Sequence, residues 1–354
     1  GFKGFMTHGV PMSEPLVACI PNISEGQDAT IIDAICEATS GIDGCALIGS
    51  EPDPDYNRTV ITLAGHPDSV REAAFRLIKA AAELLDMRAH TGNHPRMGAV
   101  DVCPFVPIKN ADAALCEKLA ASLGAQVDAE LGLPVFYYGS AASHPDRTAL
   151  SALRRGEYES LEGRMTGDVE ASITRDPDYG SGWNDRYARF GAIAIGVRPI
   201  LVAYNVNLAE SDATVAKKVG TIVRSSGRLI RNGDERMRVR GMLDNVQGMG
   251  VPLEAHGFSQ VSMNLQDVGV TDMHQAFEAV KSLASDHGVD VDGSELVGLA
   301  PLSSFLAAGR WYSPGEVEEG ALIEAAVQGL GLDRIGLFEP KERIIEYAVE
   351  EALQ

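Results

Sequence analysis

The chain has 354 residues, of which 45% are hydrophobic and 23% are charged, and its formal net charge is -20 at pH 7. This length exceeds the usual size of one hydrophobic core, so we expect two domains or two packed lobes. No apolar run of about 18 residues is present to span a membrane, and the negative charge disfavours nucleic acid and anionic membranes as partners without excluding a small anionic substrate.

The amino-terminal segment and the cysteines indicate the compartment. Residues 1–14 contain no apolar run long enough for a secretory signal and are predicted to form a flexible leader. The cysteines are Cys19, Cys36, Cys45, Cys103 and Cys116. They are odd in number, form no Cys-x-x-Cys pair and lie in apolar segments, which is typical of buried thiols. We therefore expect a reducing cytoplasm.

The first half alternates between predicted strands and helices. In chain order these are strand 16–21, a helix from Asp28, strands 45–48 and 58–63, helix 67–85, strand 99–106, helix 111–131 and strand 134–138. The first helix is predicted from Ile31, Ile32, Ile35 and Cys36, which fall at helical spacing after Asp28. A polar loop over 51–57 and a Gly/Pro/His-rich loop over 90–98 interrupt the pattern.

The second half repeats this order. Its predicted elements are strand 199–208, helix 209–223, strands 246–252 and 259–266, helix 271–287 and strand 295–301. The segments that begin at Leu16 and Leu201 both start Leu-Val-Ala and both place Asp-Ala-Thr where a helix begins. We predict an α+β fold of two ferredoxin-like βαββαβ lobes, 15–190 and 191–354, related by internal duplication. Ligand pockets favour such lobe interfaces.

The loop over 90–98, with sequence HTGNHPRMG, contains two histidines and an arginine between a helix and a strand. Loops held by rigid elements are common positions for catalytic groups. His94 is suited to proton transfer near neutral pH, and Arg96 could hold a carboxylate. The spacing of His90 and His94 also matches zinc ligands one helical turn apart, but Gly92 and Pro95 disfavour a helix there. No metal site is therefore expected.

Two further clusters are candidates for substrate contact. In the cluster from Glu51 to Arg58, Arg58 could bind a carboxylate and Glu51 could orient a base, or the segment could be a solvated hairpin loop with a surface arginine. Around 178–191, aromatic residues alternate with Arg, Asn and Gly, which suits a flat heteroaromatic ring or an ordinary linker between lobes.

An ordered set of motifs resembles the formiminotransferase family. The matching runs include VACIPNISEG from Val17, NRTV from Asn57 and HPRMGAVDVCPF from His94. Further matches are GEYE from Gly156, AYNVNL from Ala203, VQGMG from Val246, LVGL from Leu296 and PKERIIEY from Pro340. Together they extend in order from about residue 16 to residue 348.

The resemblance implies a two-lobed ferredoxin-like fold, a homodimer and a folate tunnel across the lobes. It implies transfer of a formimino group between tetrahydrofolate, a co-substrate, and L-glutamate or N-formimino-L-glutamate, in histidine degradation and one-carbon metabolism. His94 aligns with the family's catalytic histidine, and Glu51 aligns with its acidic loop residue, where Asp is more familiar. Because the chain ends at Gln354, it resembles the stand-alone form and should lack cyclodeaminase activity.

The predicted contacts form two groups. The substrate-binding group comprises Arg58 and Arg96, which could hold the glutamate carboxylates, and Asn57, Asn205 and Asn207, whose side-chain amides could orient substrates. Those to folate follow from the family's Gly-rich stretch and are Gly180, Ser181, Gly182, Trp183, Phe190 and Gly191, although this stretch differs here in composition and length. Formyl transfer between the same partners, a non-catalytic folate-binding protein and a metal-dependent hydrolase that uses His90 and His94 remain alternatives.

Overall fold

The computed structural model describes residues 14–167, 176–253 and 257–354. Most of the predicted leader therefore lies outside the described residues. The chain divides into two compact units, with the boundary between Arg198 and Pro199.

The first unit contains seven strands and six α-helices within its described residues. In chain order they are β1 (Leu16–Cys19), β2 (Asn22–Ile23), α1 (Ala29–Glu37), β3 (Cys45–Asp53), β4 (Arg58–Gly65), α2 (Pro67–Leu84), β5 (Val100–Lys109), α3 (Ala113–Gln126), β6 (Val135–Gly139), α4 (Leu150–Leu153), α5 (Leu161–Thr166), α6 (Asp185–Phe190) and β7 (Ile193–Val197). A single π-helical segment, Val127–Leu131, extends α3.

The second unit is built around a four-stranded sheet. Its elements are β8 (Val202–Leu208), α7 (Thr214–Val223), β9 (Arg228–Asn232), β10 (Glu235–Val239), β11 (Val246–Leu253), β12 (Phe258–Leu265), α8 (Met273–Asp286), β13 (Val291–Val297), α9 (Leu302–Tyr312), α10 (Glu319–Leu330), α11 (Pro340–Arg343) and α12 (Ile345–Ala352). Strands β9 and β10 form a separate exposed hairpin that the sequence analysis did not predict.

Both units contain the predicted βαββαβ order. In the first, β3 pairs with β4, β4 with β1 and β1 with β5, and all of these pairings are antiparallel. In the second, the order β11-β12-β8-β13 repeats the same arrangement. The mixed α/β architecture with two sheet-containing lobes is thus confirmed, whereas the internal duplication stays a prediction.

The unit boundary falls later than the predicted boundary at 190/191. Strand β7 pairs in parallel with β5 and with β6, so it extends the sheet of the first unit. Its side chains are buried throughout. A buried parallel strand has no alternating pattern that would assign it to one lobe rather than the other.

The local signals explain most element boundaries. Asp28 caps α1 by accepting hydrogen bonds from the backbone N–H groups of Thr30 and Ile31, as its position before the apolar repeat predicts. Strand β3 is longer than predicted, because Glu51, Pro52 and Asp53 continue the ladder opposite β4. The loop over 51–57 is therefore only a short connection at the end of a hairpin.

The apolar side chains form a core on the helical side of the sheet in each unit. In the first unit, Val17, Ile61 and Leu63 from the sheet pack with Ala74 and Ile78 of α2. The five cysteines are free thiols, and four of them are buried. Burial raises the pKa of the Cys19 thiol well above its usual range, so this thiol stays protonated at neutral pH.

Candidate active site

Three loops of the first unit pack together at the end of its sheet: the turn over 22–28, the connection over 53–58 and the loop over 90–98. A Cβ atom on Gly26 would lie 2.4 Å from the backbone oxygen of Asp53, and one on Gly92 would lie 2.7 Å from that of Tyr56. These backbones touch directly, so any side chain at either glycine would force the loops apart.

Asn57 links the three loops. Its Nδ2 group donates to the backbone oxygen of Thr91 at 2.7 Å, and its Oδ1 accepts from the N–H of Gly26 at 3.0 Å. Its backbone has φ 51°, a left-handed conformation in which Asn is favoured among residues other than Gly. Both ends of the amide are therefore engaged in holding the loops, and substrate contact by Asn57 stays a prediction.

His94 and Arg58 are brought together by this packing. The Nη1 of Arg58 lies 3.4 Å from Nε2 of His94. Because a guanidinium can only donate, Nε2 must carry the free lone pair of a neutral imidazole. Burial, followed by the positive charges of Arg58 and Arg154, lowers the pKa of His94 to about 4, against the opposing effect of Asp53. His94 is thus an unprotonated base at neutral pH.

Arg58 retains the capacity to bind an anion. Its Nη1 donates to Oδ1 of Asn22 at 3.4 Å, and its guanidinium lies 5.9 Å from the ring centroid of Tyr56. The Tyr56 ring meets the His94 ring edge-on at 6.3 Å. Within the described part of the chain, no carboxylate forms an ion pair with Arg58. This unpaired cation beside a neutral base suits an incoming carboxylate.

Asp53 is the acidic residue whose charge raises the pKa of His94. Asp53 lies opposite Arg58 in the ladder, and its carboxylate accepts hydrogen bonds from the backbone N–H groups of Asp55 and Tyr56 at 3.1 and 3.0 Å. Glu51 is exposed and lies opposite Val60 in the same ladder. The orienting role predicted for Glu51 is untested, and Asp53 is a second candidate for it.

Arg96 is committed to contacts within the protein. It is 6% exposed, and its guanidinium donates to Glu159 at 2.7 and 2.9 Å and to Glu157 at 3.1 Å. It also donates to Nδ1 and to the backbone oxygen of His90. These contacts use all five N–H groups of the guanidinium. A carboxylate contact by Arg96 therefore stays a prediction that requires one of these contacts to break.

His90 is held in one neutral tautomer by its neighbours. Its Nε2 lies 3.1 Å from the backbone oxygen of Asn57, and its Nδ1 accepts from Arg96 at 3.2 Å. Burial, the largest cause, lowers the pKa of His90. Both ring nitrogens are therefore used in fixing the loop. Across residues 14–167, 176–253 and 257–354, no group of three His, Cys, Asp or Glu side chains is placed to hold a metal ion.

A buried ion pair between Asp101 and Arg154 holds the backbone of the 90–98 loop. Asp101 is 1% exposed, accepts a hydrogen bond from the backbone N–H of Met97 at 2.8 Å and pairs with Arg154. Through this pair Arg154 is positioned close enough to act on the pKa of His94. The sequence placed Asp101 simply within a strand and gave no signal for Arg154.

The predicted folate stretch has two parts with different roles. Phe190 is 1% exposed and its backbone oxygen accepts from Ala99, while a Cβ atom on Gly191 would lie 2.1 Å from the backbone oxygen of Met97. Both residues pack beneath the 90–98 loop. The exposed or half-buried residues of the stretch are Gly180, Ser181, Gly182 and Trp183. Folate contact by any of the six stays a prediction.

Asn205 and Asn207 lie on β8 in the second unit. Asn207 is fully buried and its Oδ1 accepts from Gln260 at 2.7 Å, while Asn205 faces Glu295 across the sheet. The structure therefore places both asparagines on one polar sheet face together with two residues that the sequence analysis did not single out.

Sequence reasoning missed several residues around the 90–98 loop and Arg58. They are Asn22, Asp53, Tyr56, Arg154, Glu157 and Glu159. The Pro-Asp-Pro run around Asp53 was a usable signal, because Asp accepts backbone hydrogen bonds in tight turns. The approach of Arg154 and of the two glutamates depends on long-range packing and had no local signal.

Comparisons with known proteins assign most of the described chain to one group. A profile described as "Formiminotransferase domain, N-terminal subdomain" matches residues 16–198, and one described as "Formiminotransferase domain" matches residues 203–350. The Formimidoyltransferase-cyclodeaminase of Rattus norvegicus is 40% identical over 341 residues, which cover 95% of this chain and 60% of that protein.

Two shorter relatives match over most of their length. The Glutamate formimidoyltransferase of Streptococcus pyogenes serotype M1 is 38% identical, over 84% of this chain and 93% of that protein. That of Thermoplasma acidophilum is 36% identical, over 88% of this chain and 97% of that protein. No described helix of this chain is long and apolar enough to cross a membrane.

Proposed function

The chain belongs to the formiminotransferase family, and from this premise we propose that it transfers a formimino group between N-formimino-L-glutamate and tetrahydrofolate. Tetrahydrofolate is the co-substrate, and the transferred carbon is already activated as an amidine. The reaction needs no redox step. The observation that carries the proposal is a neutral His94 whose Nε2 lies 3.4 Å from Nη1 of Arg58, a cation with which no described carboxylate forms an ion pair.

His94 acts as the proton carrier. When glutamate is the acceptor, Nε2 removes a proton from its ammonium group, and the free amine attacks the formimino carbon bound to N5 of the folate. The carbon–nitrogen bond to the folate then breaks as the proton passes from His94 to N5. The proton that His94 takes from glutamate is delivered to N5, which also keeps the electron pair of the broken carbon–nitrogen bond. The reverse reaction uses the same groups.

Arg58 binds a carboxylate of the glutamate moiety. A bound carboxylate withdraws Nη1 from Nε2 and offsets the positive charge that weakens the base. The same contact therefore positions the substrate and increases the basicity of His94. Binding both substrates in one site supplies the proximity that a bimolecular transfer needs.

We further propose that the protein acts in the cytoplasm, in keeping with its five free thiols. We also propose that it is a homodimer, as the family resemblance implies.

The test is an assay of purified protein with N-formimino-L-glutamate and tetrahydrofolate, following 5-formiminotetrahydrofolate. The wild-type protein should turn over, and His94→Ala should lose about 100-fold or more in kcat. His287→Ala, which removes an exposed histidine at the end of α8, is the matched control. Turnover with N-formyl-L-glutamate alone would indicate formyl transfer instead. Full activity of His94→Ala would reject the assignment of the base.

A further inference from the structure

The hairpin formed by β9 and β10 is exposed on both of its faces. The two strands pair in antiparallel register, and every residue in them is exposed except Val239, which is partly buried. A two-stranded ribbon with neither face covered is at best marginally stable in water. A surface that covers the ribbon would therefore stabilise it.

Close backbone contacts fix the base of the hairpin. A Cβ atom on Gly227 would overlap the backbone oxygen of Val239, and one on Gly241 would overlap that of Arg224. The backbone N–H of Met242 donates to a carbonyl oxygen in the last turn of α7 at 2.7 Å. The hairpin is thus an arm with a defined attachment to α7, and residues 228–240 are called the arm below.

One face of the arm is apolar. Ile230 and Met237 lie directly opposite each other in the register, and they are 38% and 60% exposed. Val239 lies on the same face, two residues from Met237, and lines a groove of about 320 Å³ beside α7. Ile222 and Met242 line the same groove. An apolar strip of this kind, left in contact with water, marks a surface that another molecule covers.

The other face of the arm carries arginines. Arg231 lies directly opposite Arg236, and Arg238 points to the same side of the ribbon. Like charges directly opposite each other destabilise a strand pair. Within the described residues, no carboxylate forms an ion pair with any of the three, and Arg238 donates to the backbone oxygen of Ser226 at 2.9 Å. An acidic surface placed against this face would relieve the repulsion.

The charge of the arm is opposite to that of the chain as a whole. The arm contains five of the 30 basic residues but only two of the 50 acidic residues, in a chain whose net charge is -20. Two copies of this protein therefore repel each other overall, and the arm offers each copy an attractive contact with the acidic remainder of the other. Nucleic acid fits less well, because its phosphates would be repelled by the same acidic remainder.

We propose that the arm docks on the acidic surface of a second copy of this chain and holds two protomers together. Arg231, Arg236 and Arg238 pair with carboxylates of that copy, and the apolar face is covered in the same contact. In a two-fold dimer each protomer supplies one arm and receives one, so every contact occurs twice. The inference rests on the proposed homodimer, which it extends by naming the contact surface, and it is independent of the transfer reaction.

Sedimentation velocity of the full chain at about 0.1 M NaCl measures the dissociation constant of the dimer. Arg231→Glu/Arg236→Glu reverses two charges on the arginine face and should raise this constant about 100-fold, because each reversal acts twice. Lys281→Glu/Arg310→Glu reverses two exposed charges on α8 and α9 and changes the net charge equally, so it is the matched control and should leave the constant unchanged. Circular dichroism checks that each variant is folded.

The salt dependence of the wild type gives a second measurement that needs no charge reversal. Raising NaCl to about 0.5 M should weaken the wild-type dimer, because exposed ion pairs are screened. Arg231→Gln/Arg236→Gln, which removes the charges without reversing them, should dimerise with a smaller dependence on salt. A wild-type dimer that is insensitive to salt would contradict pairing through the arginines.

The outcomes separate the arm from the dimer and from the reaction. Equal dissociation constants for the wild type and Arg231→Glu/Arg236→Glu would overturn the inference and leave the homodimer standing. Equal weakening in the control variant would also overturn it, as a general effect of charge. A monomeric wild type would reject the homodimer and the inference together, and formimino transfer by that monomer would leave the proposed reaction standing. Binding of a DNA duplex that the reversal abolishes, with dimerisation unchanged, would assign the arm to nucleic acid instead.

Discussion

Two arginines near His94 differ in what they can still bind. Arg96 donates all of its N–H groups to His90, Glu157 and Glu159, whereas no described carboxylate pairs with Arg58. Their positions in the sequence do not distinguish them, because Arg96 stands in a polar loop before a strand and Arg58 directly follows a polar loop at the start of a strand. The difference arises from which distant side chains each one meets. It makes Arg58 the stronger candidate for substrate recognition and Arg96 a positioning residue.

Replacing Arg58 by Gln should raise the pKa of His94 above its present value of about 4. The variant removes the nearest positive charge, while burial, the larger cause, remains, so the pKa should stay below 6.5. An NMR titration of the His94 ring measures it, and the KM for N-formimino-L-glutamate should rise in the same variant. Arg76→Gln, an exposed arginine paired with Glu72 on α2, should change neither quantity. An unaltered His94 midpoint in Arg58→Gln would show that the guanidinium does not act on the ring.

Replacing Arg96 by Gln should lower the free energy of unfolding by about 2 kcal/mol. The change removes a buried cation and leaves Glu157 and Glu159 without their partner; those glutamates are partly exposed, which limits the loss. Urea unfolding measures the effect, and Arg96→Lys should recover only part of the stability, because an ammonium group cannot reproduce the planar set of five donors. A fully stable Arg96→Gln with a raised KM would instead favour the substrate contact.

At the scale of elements, a helix packs closely on a strand in the second unit. The Gly248-x-Gly250 run lacks a phosphate-binding context in the sequence and has a structural role here. A Cβ atom on Gly250 would lie 2.1 Å from the backbone nitrogen of Lys217 in α7. Glycine on β11 therefore allows α7 to approach the backbone of the sheet. Helix α7 packs on the apolar face of the sheet at this contact.

Gly250→Ala should therefore destabilise the protein by about 1–3 kcal/mol, because the contact is with backbone atoms that cannot rotate away. Gly49→Ala is the matched control, since a Cβ atom there meets nothing within 4 Å and the residue also lies in a strand. Thermal or urea unfolding of the two variants gives the comparison. If both glycines tolerate alanine equally, the close approach of α7 to β11 does not limit stability.

The sequence predicts element boundaries where local signals are strong. It misses the boundaries that are set by pairing with a distant strand. The cap at Asp28 and the helical repeat of α1 and α2 follow from residues near each other in the chain. The extension of β3 to Asp53 follows only from its ladder with β4. Likewise, β7 is recognised as part of the first sheet by its parallel partners, which are distant in sequence.

At the scale of the whole molecule, three half-buried histidines make stability depend on pH. His90, His94 and His274 each have a pKa lowered mainly by burial. As the pH falls below about 6.5, the unfolded state binds protons that the folded state does not, so the free energy of unfolding decreases. For His94 this window extends from 6.5 down to about 4.

We expect the free energy of unfolding to fall by about 1–2 kcal/mol between about pH 7 and pH 5, after allowance for the partial exposure of these rings. Urea unfolding at the two pH values measures it. His94→Gln should show a smaller dependence on pH than the wild type, whereas His287→Gln should match the wild type. A His94→Gln variant with an unreduced dependence on pH would mean that His94 has no depressed pKa in the folded protein.

The sequence by itself determined the family, the βαββαβ order of elements in each half and His94 as the candidate base, because these follow from ordered motifs and local periodicity. Only the tertiary structure decided which charged groups surround that base. Asp53, Arg58 and Arg154 act on His94 through space, and electrostatic effects depend on distance and burial rather than on separation along the chain. In the same way, only the sheet shows that Asn207 Oδ1 accepts a hydrogen bond from Gln260, while no described group accepts from Asn207 Nδ2.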